Sequence, residues 1–147
     1  MTKIPRDYLK YWKVIRQYYK TKYNITQSDF DMLLFLYSED YFTRDTFKEF
    51  ARLVSWEKER FQRLMKEGWI YKFRSHTKNS KALYHMSDKG RNIVKDIYRK
   101  LNGEEIPTSL AQNPMFLKNV KYTDKVYRNM IMEMNDFIRQ QRHRSPE

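Results

Sequence analysis

The chain has 147 residues, 30 of them Lys or Arg against 18 Asp or Glu, which gives a formal net charge of +12. That length suits one domain with a core of its own, and the charge points to an anionic partner. The absence of cysteine excludes a disulfide framework and a thiolate metal site. No apolar run approaches the roughly 20 residues that span a bilayer, and MTKIPRDYLKYW lacks the apolar core of a secretory leader, so a cytoplasmic protein with no membrane partner is expected.

A first helix is predicted from Pro5 to Tyr23, with proline in its first turn. Tyr8, Trp12, Ile15, Tyr19 and Tyr23 form one stripe and Tyr11, Val14 and Tyr18 a second. The helix should therefore touch two things at once, its own domain and a second subunit. Thr26 caps a second helix, with Asp29 in a capping-box-like position and Phe30, Leu33, Leu34 and Tyr37 on the buried face. Ser38-Glu39-Asp40-Tyr41 interrupts the pattern, and Thr43 caps a short third helix with Phe47, Phe50 and Ala51 turned inward.

Ser55 is the expected N-cap of a fourth helix, which Gly68 ends by supplying a left-handed residue. Phe61, Leu64 and Met65, with Val54, face the core. The opposite face carries Trp56, Glu59, Gln62, Arg63 and Lys66, flanked by Arg60 and Glu67, and such side chains can donate and accept hydrogen bonds in a major groove. Trp69 to Arg74 and Leu83 to Met86 read as strands of a hairpin around the polar turn Ser75-His76-Thr77-Lys78-Asn79-Ser80. Ser87 caps a fifth helix with Ile93, Val94, Ile97, Tyr98 and Leu101 at helical spacing. Asn102-Gly103 and Pro107 open a connection through Pro114. A last helix is predicted from about Lys118 to Arg142, with the stripe Tyr127, Met130, Ile131, Met134, Phe137 and Ile138. So apolar a helix needs a partner, either the first helix or a second copy of the chain; residues 143–147 read as a frayed tail.

Counted by sign, residues 1–23 carry +6, 24–43 carry −4, 44–81 carry +6, 82–90 are neutral and 91–147 carry +4. The excess lies on segments with periodic apolar residues, as on a folded surface facing phosphate, rather than in one basic tail. A basic surface that merely keeps the chain soluble is the plain alternative. His76, His85 and His143 have no metal-ligand spacing, three glycines form no phosphate-binding loop, and the pairs Glu39-Asp40 and Glu104-Glu105 sit in turns without a nucleophilic companion. No cofactor, no metal and no catalysis are expected.

The element order resembles that of the multiple-antibiotic-resistance regulator (MarR) family of dimeric winged-helix transcription factors. Ile25-Thr26, Phe30 and Leu33-Leu34-Phe35-Leu36-Tyr37 resemble its second helix; Leu64, Gly68, Trp69 and Ile70 resemble the exit from its recognition helix; Met86-Ser87-Asp88-Lys89-Gly90 resembles its phrase after the wing. The likeness covers about residues 8–101, with the last helix similar in arrangement. The phrase after the wing also resembles the PadR family, which has a C-terminal dimerisation helix but usually no long first helix. The family's wing normally holds an Asp-x-Arg pair that braces the loop and puts arginine in the minor groove. Here Lys78-Asn79-Ser80-Lys81 stands instead, so the resemblance leaves the wing phosphate contacts through Lys78 and Lys81. The turn before the fourth helix is compressed and lacks glycine.

The resemblance implies a mainly α fold with a small β-hairpin wing. A single winged helix-turn-helix domain would span 1–147, with a DNA-binding core over 24–101 and dimerisation helices at 5–23 and 118–142. It further implies a homodimeric transcription regulator at the nucleoid. Two recognition helices would enter successive major grooves about 34 Å apart. Gln62, Arg63 and Lys66 are the candidates for groove contacts, Arg63 by a bidentate contact to guanine. Arg44, Arg60, Lys72, Arg74, Lys78 and Lys81 would hold phosphates, Ser55 would cap the helix, and Trp56 would stack on sugar or a thymine methyl or pack beside the turn. Tyr8, Trp12, Ile15 and Tyr19, with Tyr127, Met130, Ile131, Met134, Phe137 and Ile138, would join the subunits. Family analogy adds a small-molecule effector in the aromatic junction of helices one, two and five. Readings from other classes are a protein–protein adaptor and a nonspecific architectural DNA binder.

Overall fold

The structure, a computed structural model, describes residues 8–55 and 57–144. These form α1 (Tyr8–Tyr23), α2 (Gln27–Tyr37), α3 (Arg44–Ala51), α4 (Arg60–Lys66), β1 (Ile70–Arg74), β2 (Leu83–Met86), α5 (Asp88–Leu101) and α6 (Tyr122–Arg144). The chain divides into two units, one of Thr26–Asp96 and one that joins the stretch up to Ile25 with the stretch from Ile97. The predicted helix start at Pro5, Trp56 and residues 145–147 of the predicted tail lie outside the described residues.

In the central unit the helix starts follow local hydrogen bonds. Thr26 Oγ1 accepts from the Asp29 amide at 3.2 Å, Thr43 Oγ1 from that of Thr46 at 3.3 Å, and Ser87 Oγ from that of Gly90 at 3.3 Å. Each satisfies an amide that the first helical turn leaves without a partner. The fourth helix differs from expectation. It begins at Arg60, with Glu59 in the cap position and no side-chain cap bond, so residues 52–59 make a long link rather than a compressed turn. Ser55 is not its cap; that hydroxyl bonds to Ser28 Oγ at 2.8 Å. The exit is as predicted. Gly68 adopts φ +81°, its amide donates to Met65 O at 3.1 Å, and the Trp69 amide reaches back to Leu64 O at 2.9 Å. That pair of bonds closes the helix around a left-handed residue, where a Cβ would be strained.

β1 and β2 pair antiparallel, Ile70 opposite Met86, Tyr71 opposite His85 and Lys72 opposite Tyr84, with an irregularity between Lys72 and Arg74. Alternation puts Ile70, Tyr84 and Met86 in the core and leaves Tyr71 and Phe73 exposed. Phe42 adds a bridge to Tyr84, with reciprocal backbone bonds of 2.9 and 2.8 Å. Tyr84 and Phe47 each meet the Phe61 ring edge-on at 5.0 Å, which ties hairpin and α3 to α4. On α2 the buried set is Asp29, Phe30, Met32, Leu33 and Leu36, whereas Leu34 and Tyr37, expected inside, are half-buried. A Cβ on Gly90 would lie 2.9 Å from Met86 Cε, so this glycine lets α5 seat against the hairpin root. Three helices, a hairpin and a following helix in this order are a winged helix-turn-helix.

In the other unit α1 packs on α6. Tyr11 and Phe137 meet edge-on at 6.2 Å, and the Tyr18 hydroxyl donates to Gln112 O at 3.2 Å. Asn135 pairs fully with the backbone of Ile106, accepting from its amide at 3.0 Å and donating to its carbonyl at 2.9 Å, which fixes the connection against α6. The side chains expected to join the subunits differ in exposure. Ile15, Tyr19, Ile131, Met134 and Ile138 are buried in the single chain, Trp12, Tyr127, Met130 and Phe137 are half-buried, and Tyr8 is exposed. α1 and α6 touch each other and both touch the short 3-10 turn Pro114–Phe116, so part of each stripe is covered without a second copy. The last helix starts at Tyr122 rather than Lys118 and runs on to Arg144.

Candidate nucleic-acid interface

The side chains expected to face nucleic acid fall into two sets. Arg44, Gln62, Lys66, Lys72, Arg74, Lys78 and Lys81 are exposed. Arg60 and Arg63 are not disposed as predicted, because both turn toward Asp29 on α2.

Asp29 is 3% exposed and Arg60 1%. Arg60 Nε donates to Asp29 Oδ1 at 2.9 Å and Arg60 Nη1 to the Ser55 carbonyl at 2.6 Å, with a longer bond from Nη2 to Ser55 Oγ at 3.4 Å. Arg60 is therefore a structural cation that fastens α4 to α2 and to its preceding link, and it cannot reach a phosphate. Three residues on, Arg63 Nε donates to Asp29 Oδ2 at 2.9 Å and Nη2 to Oδ1 at 2.8 Å. Glu57 takes its other side, with Nη2 donating to Oε2 at 2.8 Å and Nη1 to Oε1. The Arg63 bond holds the Glu57 carboxyl below its ordinary range, and Glu57 first, then Asp29, raise the Arg63 guanidinium. The bidentate guanine contact expected of Arg63 is thus blocked in this conformation, its donors being taken by two carboxylates.

The wing is braced by a route the sequence reading did not find. Arg74 Nη2 donates to the Lys81 carbonyl at 3.2 Å, Lys81 Nζ pairs with Asp45 on α3, and Thr77 and Ser80 close the tip through backbone bonds and a 2.7 Å hydroxyl pair. Asp45 supplies from a neighbouring helix the acid that the wing lacks, and Lys81 lowers its pKa. A cleft of about 350 Å³ between α3 and the wing is lined by Arg44, Asp45, His76, Lys81, Ala82 and Tyr84. Arg44 also lies over the Phe61 ring at 4.3 Å, which orients it beside the start of α4.

Asp29, Glu57 and Asp45 were the residues sequence reasoning missed. For Asp29 a signal existed: it shares the 29, 33, 36 spacing of the apolar face of α2, where an acid needs a buried cation. Among the described residues no three His, Cys, Asp or Glu gather to hold a metal, and no helix is long and apolar enough to cross a membrane.

No family model matches the chain, and no curated protein does. Among solved structures, disulfide-formed AbfR is similar with a TM-score of 0.44 at 16% identity, over 92% of this chain and 85% of that one. A likeness of that size carries neither family nor function.

Proposed function

We propose that this protein is a sequence-specific double-stranded DNA-binding transcription regulator acting as a homodimer, with α4 in the major groove and the wing on the backbone. The observation that carries the reading is the wing itself. Over residues 70–86 its charged side chains are Lys72, Arg74, Lys78 and Lys81, with no acid, and all four are exposed. Phosphate contacts of this kind orient a protein on duplex without reading sequence. Sequence is read by Gln62 and Lys66, exposed one turn apart on α4, Gln62 being suited to adenine and Lys66 to guanine. The subunit contact falls to apolar side chains still exposed on α6, such as Tyr122 and Val126.

One observation favours a protein adaptor as the second reading. On the outer face of the hairpin Tyr41 touches Phe73 at 4.4 Å and His85 at 5.1 Å, and Tyr71 touches His85 at 5.5 Å, leaving three exposed aromatic rings together. Selection from a random-sequence duplex library, with mass in solution measured in parallel, separates the readings. A pseudo-palindrome enriched by a dimer supports the regulator; retained DNA without enrichment indicates an architectural binder, and no retention at low salt indicates the adaptor.

A further inference from the structure

Arg63 meets its two carboxylates with different edges of one guanidinium. The inner edge, Nε and Nη2, lies on the two oxygens of buried Asp29, which Arg60 also holds. The outer edge, Nη1 and Nη2, lies on the two oxygens of Glu57, whose side chain is 41% exposed in the link before α4 while that of Arg63 is 28% exposed. The inner pair cannot be exchanged without stranding Arg60 in the interior. The outer pair can, because exposed ion pairs are screened and add little net stability, and the bond that Glu57 also accepts from buried Arg60, Nη2 to Oε2, is long at 3.5 Å.

Two parallel N–H donors at the end of an arginine are what grips a phosphodiester or reads O6 and N7 of guanine. A carboxylate offers the same planar pair of acceptors. We infer that Glu57 is a built-in stand-in for DNA: it occupies the outer edge of Arg63 in the free protein and yields it to a phosphate or a guanine edge on binding, and so sets the affinity and selectivity of α4. This rests on the duplex-binding reading above. Asp29 meanwhile keeps the guanidinium in place, so the exchange moves Glu57 rather than Arg63. Lys81 and Asp45 repeat the pairing of an exposed cation with an exposed acid at the wing, but there the acid meets an ammonium and no bidentate edge.

The test compares the whole protein with Glu57→Gln and Glu59→Gln on a random-sequence duplex pool at low salt. Glu59 is exposed two residues away, so its variant removes the same charge without touching Arg63. Glu57→Gln is expected to bind about fivefold more tightly than wild type, and Glu59→Gln to change by less than about twofold. Tightening at all sequences alike identifies phosphate as the incoming group; tightening confined to guanine-bearing sites identifies the base edge. Either supports the exchange. A second measurement needs no variant: in the ¹⁵N-labelled wild type, saturating duplex should shift the Arg63 Nη resonances and leave Nε in place. Equal effects of the two variants, or unmoved Nη signals in a protein that binds DNA, overturn the exchange and leave the DNA-binding reading standing. If wild type and Glu57→Gln both ignore duplex, the DNA-binding reading fails and the exchange with it.

Discussion

On α4, two of the three cations are drawn inward, Arg60 onto Asp29 and Ser55 with a long bond to Glu57, and Arg63 with one edge on Asp29 and the other on Glu57. On the wing, all four cations are exposed, and the acid that Lys81 meets, Asp45, is itself at the surface. The same residue types thus do different work according to burial. A guanidinium that has lost its water must keep its carboxylate, so on α4 charge fixes the pose of the helix, whereas on the wing it remains at the disposal of a partner. Affinity for a polyanion should accordingly come mainly from the wing, and selectivity from α4.

Asp29→Asn removes the acid that Arg60 and Arg63 share. It strands a guanidinium in the interior and should lower stability by about 3 kcal/mol in urea melts. Gly90→Ala probes the root of the wing. The new methyl would lie 2.9 Å from Met86 Cε, 3.2 Å from Met86 Cγ and 3.4 Å from the Trp69 carbonyl, so the flexible end of Met86 must shift, and a loss of about 1 kcal/mol is expected by the same measurement. Replacing Lys72 and Lys78 together by Ala should leave the melt within about 0.5 kcal/mol of wild type, yet flatten the slope of log affinity against log salt by about two units. If the double variant melts early, the wing cations are structural and the contrast with α4 disappears.

The smallest effect is one of pH. Because Arg63 holds the Glu57 carboxyl below its usual value of 4.5, that pair contributes fully above pH 4.5 and is lost as pH falls through the lower folded value. The melting difference between wild type and Glu57→Gln should therefore stay constant from neutral down to pH 4.5 and shrink only below it.

What the sequence made legible was local. Thr26, Thr43 and Ser87 are read from a hydroxyl just before a periodic apolar run, Gly68 from its place after one, and the hairpin from two strand-like runs around a polar turn. What it hid depends on groups far apart in the chain. Asp29 lies 31 and 34 residues from Arg60 and Arg63, Asp45 lies 36 from Lys81, and Asn135 lies 29 from Ile106. Charge alone made Arg60 and Arg63 look solvent-facing, because periodicity shows which face a residue shares but not what stands opposite. The start of α4 was hidden for the same reason: Ser55 has the chemistry of a cap, but its hydroxyl faces Ser28 and Arg60. The stripes of α1 and α6 are legible as apolar, but that they meet each other and the turn at Pro114–Phe116 is not.

The central claim, that the winged-helix unit with its acid-free wing binds duplex DNA, is tested most directly by titrating the protein with a duplex labelled at one end across a salt series. Tight binding at low salt is expected, with a log affinity that falls linearly and steeply with log salt, by about 0.9 for each phosphate engaged. Absence of binding at low salt, or an affinity indifferent to salt, would contradict it.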